Sequence, residues 1–140
     1  MSVEENKALV RREFDEVWNQ GQLAVMDDIY TADIAYHSPG SPVIHGPEGM
    51  KLIAGVLYTA FPDMQYTIED MIAEGEKVAI RWTLTGTHDG DLMGVPPTGV
   101  QVTFTGNTII RFAGGKYAEL WSSWDARVMW LQLGINPPPG

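Results

Sequence analysis

The chain has 140 residues, the length of one domain that buries its own hydrophobic core, and we expect a single domain over residues 1–140. It contains no cysteine, which excludes disulfides, thiolate metal sites and cysteine nucleophiles, and its formal net charge of -9 argues against nucleic acids and anionic membranes as partners. No apolar run is long enough to span a membrane, and the N-terminus lacks the pattern of a signal peptide, so we expect a cytoplasmic protein.

Helical signals dominate the first part of the chain. Ser2 and Glu5 fit a capping box, and the apolar face that follows predicts a first helix ending at Gly21. Residues 23–30 favour a second, short helix, and residues 33–38 a strand that a Pro-Gly-Ser-Pro turn stops.

A third helix is predicted over residues 46–61, with Pro47 in its first turn. Beyond it the apolar period changes from 3.6 to 2, which indicates strands. We place them at residues 64–73, 78–88, 100–112 and 116–125, followed by a short helix or turn at 127–134 and an extended tail at 136–140. Helices followed by strands with short turns indicate an α+β fold, with about three helices over roughly four to six curved, mainly antiparallel strands around an apolar cavity.

Short motifs spread over residues 5–134 carry a resemblance to a known family. The most telling stretch joins Gly86-Thr87-His88 to Gly94-Val95-Pro96-Pro97-Thr98-Gly99. The others are Asn6-Lys7-Ala8-Leu9-Val10-Arg11-Arg12, Val17-Trp18-Asn19-Gln20-Gly21, His37, Gly46-Pro47-Glu48-Gly49, Phe61-Pro62-Asp63, Gly115-Lys116, Glu119, Trp121, Asp125 and Gln132-Leu133-Gly134. The ordered set resembles the SnoaL-like polyketide cyclases, within the NTF2-like superfamily of cone-shaped α+β barrels.

This resemblance implies ring closure by intramolecular aldol condensation, without metal or cofactor. An aspartate on the last strand is the general acid/base of those enzymes, and its motif falls on Asp125, whereas the place of its partner histidine falls near Arg111. We therefore expect a cofactor-free acid/base enzyme acting on a small hydrophobic carbonyl compound, by aldol condensation or isomerisation. Asp125 would move the proton, and His88, helped by His37, would hydrogen-bond the enolate oxygen.

The residues themselves leave alternatives open. Asp125 ends a tryptophan-rich strand, where lost hydration would raise the pKa of a carboxyl, but it also stands where aspartate is a preferred helix N-cap. For His88 and His37, a pocket role and a structural hydrogen bond are both open. Arg111 either binds a carboxylate or enolate inside, or lies at a rim or interface.

Aromatic side chains are more numerous than a core of this size requires, so we predict that some line a cavity for a flat, apolar ligand. The expected lining is Trp18, Tyr36, Trp82, Phe104 and Trp121, together with His37. Strand parity puts Trp121 and Asp125 on one face and His88 with Trp82 on one face. We assume that the two faces are the same, although Gly86 and Gly106 could each mark a bulge.

Two other functions remain open from the sequence, a non-catalytic carrier of a hydrophobic metabolite and an epoxide hydrolase. The second needs an Asp-Arg-Asp arrangement, of which Asp125 and Arg111 could supply two members. The run Asp89-Gly90-Asp91 fails the calcium-loop template, so no metal is expected. Ile109 beside Ile110 puts an apolar residue on each face of one strand, which predicts a homodimer through the outer face of the sheet.

Overall fold

The computed structural model describes residues 2–135, and the tail predicted at 136–140 lies outside them. Helix α1 (Val3–Arg12) continues as a π-helical segment (Glu13–Trp18), followed by a 3-10 turn (Leu23–Val25) and α2 (Met26–Ile29). The remaining elements are β1 (Tyr30–His37), β2 (Ile44–His45), α3 (Gly46–Ala60), β3 (Gln65–Glu74), β4 (Lys77–Thr87), β5 (Gln101–Ala113), β6 (Lys116–Trp124) and α4 (Ala126–Gln132).

Within residues 2–135 the strands form one curved six-stranded sheet in the order β2-β1-β6-β5-β4-β3. Neighbouring strands are antiparallel except for β1 and β6, which run parallel. The predicted α+β fold is confirmed. The short strand β2 was not predicted, because its two residues are too few to show a period.

The first helix begins as predicted but widens before it ends. Ser2 Oγ accepts the backbone N–H of Glu5 at 3.1 Å, and Glu5 Oε1 accepts that of Ser2 at 3.1 Å, so the capping box is present. From Glu13 onward the helix has π geometry, closed by Asn19 N–H donating to the Phe14 carbonyl at 2.9 Å. π segments are short and occur often at functional sites.

The hydrophobic core lies between the helices and the inner face of the sheet. Along β4 and β5 every second side chain is buried, as period-2 alternation predicts. The members that β4 contributes are Val78, Ile80, Trp82 and Leu84, and those of β5 include Val102, Phe104 and Ile110. This inner face also forms the floor of the site described below.

A bulge in β6 changes which residues face the core. Arg111 pairs with Glu119 and Phe112 with Tyr117, so Ala118 is left without an opposing residue. Tyr117 and Glu119 therefore lie on opposite faces, although simple alternation along the strand would put them on the same face. Tyr117 is buried, and Leu120, Ser122 and Trp124 line the inner cavity. Glu119, Trp121 and Ser123 lie on the outer face.

Gly86 and Gly106 mark close packing rather than bulges, because the β4–β5 register is continuous through both. A Cβ at Gly106 would stand 2.3 Å from the Trp82 ring and 2.8 Å from the Ser123 carbonyl oxygen. A Cβ at Gly86 would stand 2.9 Å from Cβ of Phe61. Gly106 therefore leaves the space that the Trp82 indole occupies.

Candidate active site

A cavity of about 280 Å³ opens between the helices and the inner face of the sheet. That volume is just below the range of about 300–1,000 Å³ that is typical of small-molecule sites. Its aromatic wall consists of Phe14, Trp18, Tyr36, Tyr66, Trp82, Phe104 and Trp124. The polar groups that interrupt the wall are Glu13, Ser38, Ser41, Thr108 and Ser122. The site can therefore hold a flat apolar molecule and offer it a small number of polar contacts.

Glu13 is the charged residue of this wall, and it is 2% exposed. The hydroxyl of Tyr30 donates to its Oε2, and the hydroxyl of Tyr117 donates to its Oε1 at 3.1 Å. Burial raises the pKa of Glu13 to about 7, although the hydrogen bonds from Tyr30 and Tyr117 act in the opposite direction. The carboxyl is therefore divided between its two protonation states near neutral pH.

The backbone explains why these three residues meet. Tyr30 begins β1 and pairs in register with Tyr117 of β6, and their rings stack with centroids 5.4 Å apart. Glu13 begins the π-helical segment, and its side chain reaches the hydroxyl groups of both tyrosines. A carboxyl with a pKa near the working pH can take a proton and return it, which is the property that general acid/base catalysis requires.

The sequence reasoning missed Glu13, although a signal was present. Val10, Glu13, Phe14 and Val17 follow the spacing of one helix face, so an acid interrupts an otherwise apolar stripe. Buried acids without a cationic partner are rare, and within residues 2–135 no basic side chain forms an ion pair with Glu13. An acid inside this stripe could have indicated the site.

A cluster of three hydrogen-bonded side chains, Trp82, Thr108 and Ser122, lies on the sheet side of the cavity. Trp82 Nε1 donates to Thr108 Oγ1 at 3.0 Å, and Thr108 Oγ1 lies 3.0 Å from Ser122 Oγ. The three residues occupy neighbouring strands β4, β5 and β6, and Thr108 and Ser122 are directly opposite each other in the register. All three side chains are more than nine-tenths buried.

The residues predicted for one pocket separate into two groups. Trp18, Tyr36, Trp82 and Phe104 line the cavity. Asp125, His88, His37 and Trp121 are absent from its wall among the residues described. The assumption that the face of Trp121 is the face of Trp82 is wrong, because the side chain of Trp121 lies on the outer side of the sheet.

Asp125 is exposed and caps α4. Its Oδ1 accepts the backbone N–H groups of Arg127 at 3.0 Å and Val128 at 3.3 Å. The expectation that tryptophans desolvate this carboxyl is wrong, because Trp124 turns to the cavity and Trp121 to the outer face. The helix-cap alternative describes the observed geometry. A catalytic role for Asp125 stays a prediction.

His88 is fully buried and joins the end of β4 to the loop that follows. The backbone N–H of Thr98 donates to its Nδ1 at 3.2 Å, and Thr98 Oγ1 lies 2.9 Å from the same nitrogen. Because Nδ1 accepts, the proton of the neutral ring is on Nε2, which has no hydrogen-bond partner within residues 2–135. The ring packs on Phe61, with centroids 5.9 Å apart.

His37 and Trp121 lie on the outer face, where their rings stack with centroids 5.5 Å apart. His37 Nε2 is 2.7 Å from Glu119 Oε2, and Arg111 Nε donates to Glu119 Oε1 at 3.2 Å. The hydrogen bond to His37, and then Arg111, holds the pKa of Glu119 below its usual value. Of the two alternatives for Arg111, the structure has the outer one. Neither Arg111 nor Asp125 reaches the cavity as an epoxide-hydrolase site would need.

Two classes of feature are absent from residues 2–135. No group of three or more His, Asp or Glu side chains there is arranged to hold a metal ion. In the same range, no helix has the length and apolar character needed to cross a membrane.

Solved structures place the fold in the NTF2-like α+β class. AclR from Streptomyces galilaeus, a candidate hydroxylase, has 34% identity and a TM-score of 0.85, covering 99% of this chain and 87% of AclR. A candidate SnoaL-like polyketide cyclase from Jannaschia sp. CCS1 has 28% identity and a TM-score of 0.84, covering 97% and 94% of the two chains. IdmH from Streptomyces antibioticus, a candidate polyketide cyclase, has 30% identity and a TM-score of 0.81, covering 93% and 99%.

The profile of the SnoaL-like polyketide cyclase family matches residues 8–133. The chain therefore belongs to the SnoaL-like polyketide cyclase family, and the resemblance seen in the sequence is confirmed. No curated protein matches the chain. Family and structural neighbours together support a cyclase- or isomerase-type function.

Proposed function

We propose that the protein is a cofactor-free acid/base enzyme that moves a proton next to the carbonyl group of a small hydrophobic, partly aromatic substrate. The observation that carries the proposal is Glu13, a buried carboxyl with a pKa of about 7 in the wall of an apolar cavity. A strongly perturbed acid in a pocket is the feature that marks acid/base sites in uncharacterised proteins. Membership of a cyclase family supports the same reaction class.

In the proposed reaction the ionised carboxylate of Glu13 takes a proton from the carbon beside the carbonyl. The C–H bond breaks, its electron pair forms the enolate, and Glu13 becomes neutral. Where a carbon–carbon double bond is conjugated with the enolate, return of the proton to the far carbon of that bond completes an isomerisation. Alternatively, the enolate carbon attacks a second carbonyl of the same molecule, a C–C bond closes the ring, and the new alkoxide takes the proton. Tyr30 and Tyr117 hold both carboxyl oxygens and so orient Glu13 in each state.

The sequence assigns the same reaction to other residues, with Asp125 as the proton carrier and His88 as the donor to the enolate oxygen. This assignment competes with Glu13. The test is deuterium exchange into β-tetralone, a bicyclic benzylic ketone small enough for the cavity, followed by mass spectrometry. Glu13→Gln should remove most of the protein-dependent exchange, because an amide cannot accept the proton. Asp125→Asn should keep it, since Asp125 lies outside the cavity wall.

The exchange measurements on the two variants distinguish Glu13, Asp125 and a non-catalytic carrier. Loss of exchange in Asp125→Asn with exchange retained in Glu13→Gln would transfer the role to Asp125. Tight binding of β-tetralone without any protein-dependent exchange would favour the non-catalytic carrier. Binding measured by calorimetry on both variants keeps a loss of affinity from being read as a loss of chemistry.

We propose further that two copies pair through the outer face of the sheet. One row crosses that face in register, from Ile72 through Ala79 and Ile109 to Trp121 and His37. Ile72 is 70% exposed, Ile109 44% and Trp121 37%. Contiguous exposed apolar side chains of this kind typically mark an interface. The cytoplasmic location expected from the sequence also stays a prediction.

A further inference from the structure

We infer that the hydroxyl of Ser122 is a built hydrogen-bond donor for the carbonyl oxygen of the ligand, and that Thr108 and Trp82 hold it in place. The inference deepens the proposed function, on which it rests only for the choice of a ketone. It assigns a polar contact to the side of the cavity formed by the sheet.

The cluster of Trp82, Thr108 and Ser122 has more donor hydrogens than hydrogen bonds. Trp82 Nε1, the Thr108 hydroxyl and the Ser122 hydroxyl each supply one donor hydrogen. Among the residues described, these three groups make two hydrogen bonds, at 3.0 Å each. Whichever way the hydroxyls point, one hydroxyl hydrogen is therefore left over. Thr108 is 7% exposed and Ser122 6%, and both line the cavity, so the spare donor is directed to its contents rather than to bulk water.

The order of the donors identifies Ser122 as the terminal group. An indole nitrogen can only donate, so Thr108 Oγ1 must accept from Trp82. If Thr108 then donates to Ser122, each hydroxyl accepts one bond and gives one, and the chain is polarised cooperatively. The reverse arrangement makes Thr108 accept twice and loses that reinforcement. The favoured chain leaves the Ser122 hydrogen for a ligand.

Close packing holds the hydrogen-bonded series Trp82–Thr108–Ser122 in place. The Trp82 indole lies over Gly106, where any Cβ would come within 2.3 Å of its ring. Trp82 is opposite Gly106, and Thr108 is opposite Ser122, in an unbroken stretch of the sheet. The donor is thus mounted on three strands rather than on a loop, which gives the precision that a binding group requires.

The surroundings select the chemistry of the acceptor. No lysine, arginine or histidine is among the residues that line the cavity within the described range, and Glu13 is the one ionisable acid there. A carboxylate or phosphate would be a buried, unpaired anion at this position. A neutral ketone oxygen needs one donor and little else. The ligand class is therefore an uncharged aromatic or polycyclic ketone, with its oxygen on Ser122.

The test compares β-tetralone with tetralin, its analogue without the oxygen, by calorimetry on the full chain. The two probes differ in their free energy of transfer from water into an apolar site. This difference is the same for every variant, so it cancels when the affinity ratios of two variants are compared. Ser122→Ala should shift the affinity ratio of the two probes by roughly three- to tenfold toward tetralin. Ser123→Ala, on the exposed face of the same strand, should leave the ratio unchanged. The infrared carbonyl stretch of bound β-tetralone should rise in frequency in Ser122→Ala alone.

An unchanged ratio in Ser122→Ala would overturn the inference, and so would failure of β-tetralone to bind the wild-type protein. Ser122→Cys, a weak donor of similar size, provides a second variant if the alanine variant folds poorly, and the same shift is expected. The two proposals fail separately. If Glu13→Gln keeps deuterium exchange while Ser122→Ala shifts the ratio, the role of Glu13 in the proposed function is wrong and the ketone site stands. If Glu13→Gln loses exchange while the ratio is unchanged in Ser122→Ala, the proposed function stands and the ketone site is wrong.

Discussion

Replacing Glu13 with glutamine should change how the stability of the protein depends on pH. Below pH 4.5 the Glu13 carboxyl is protonated in both the folded and the unfolded chain. Between pH 4.5 and about 7 the unfolded chain releases this proton while the folded protein keeps it, because burial raises the folded pKa to about 7. The free energy of unfolding therefore falls as pH rises through this window, and the contribution is constant above it.

The size of the effect follows from the two pKa values. Raising the pKa of a carboxyl from 4.5 to about 7 corresponds to about 3 kcal/mol, at about 1.4 kcal/mol for each tenfold change in the ionisation constant. Glu13→Gln has no proton to release. Its stability relative to wild type should therefore increase by about 3 kcal/mol between pH 4.5 and pH 8.

Urea unfolding followed by tryptophan fluorescence, at intervals from pH 4.5 to pH 8, measures this difference. Acids with lowered pKa values, such as Asp63 and Glu119, give slopes of the opposite sign in both proteins and cancel in the comparison. Parallel stability curves for the two proteins would refute the reasoning, because they would show that Glu13 has an ordinary pKa in the fold.

Three further substitutions test the cap, the packing under Trp82 and the dimer. Asp125→Ala should lower the free energy of unfolding by about 1 kcal/mol, the typical value of a helix cap, and leave β-tetralone affinity unchanged in calorimetry; weaker binding would return Asp125 to the site. Gly106→Ala should cost about 1–3 kcal/mol in urea unfolding and weaken the preference for β-tetralone over tetralin, because the new methyl displaces the Trp82 indole. Ile109→Lys should halve the mass measured by light scattering, whereas Leu52→Lys, an exposed position on α3, should not; a monomeric wild type would contradict the dimer.

The architecture could be predicted from the sequence because its signals are local. The capping box at Ser2, the proline in the first turn of α3 and the period-2 runs of β4 and β5 each depend on residues close in the chain. The parallel pairing of β1 with β6 could not be predicted in the same way, since no turn links the two strands.

The site was harder to predict because small local features decide it. A single extra residue, Ala118, reverses the parity of β6. Glu13 is buried in the π-helical segment, next to Phe14. Its helical position can be read from the sequence, but its two tyrosine partners come from distant strands and cannot. Large aromatic positions such as Trp82 and Phe104 were found because their bulk alone places them in the interior. The identity of the acid depends on contacts between distant segments, and Asp125 was preferred on family resemblance.

The pH dependence of deuterium exchange into β-tetralone tests the central claim most directly. At low ketone concentration the second-order rate constant reports the ligand-free protein, so it should rise with pH, with a midpoint near the Glu13 pKa of about 7. The Asp125→Asn curve should overlie the wild-type curve, and Glu13→Gln should show only the background rate. Exchange in Glu13→Gln that keeps both the wild-type rate and its midpoint would contradict the assignment of Glu13 as the proton carrier.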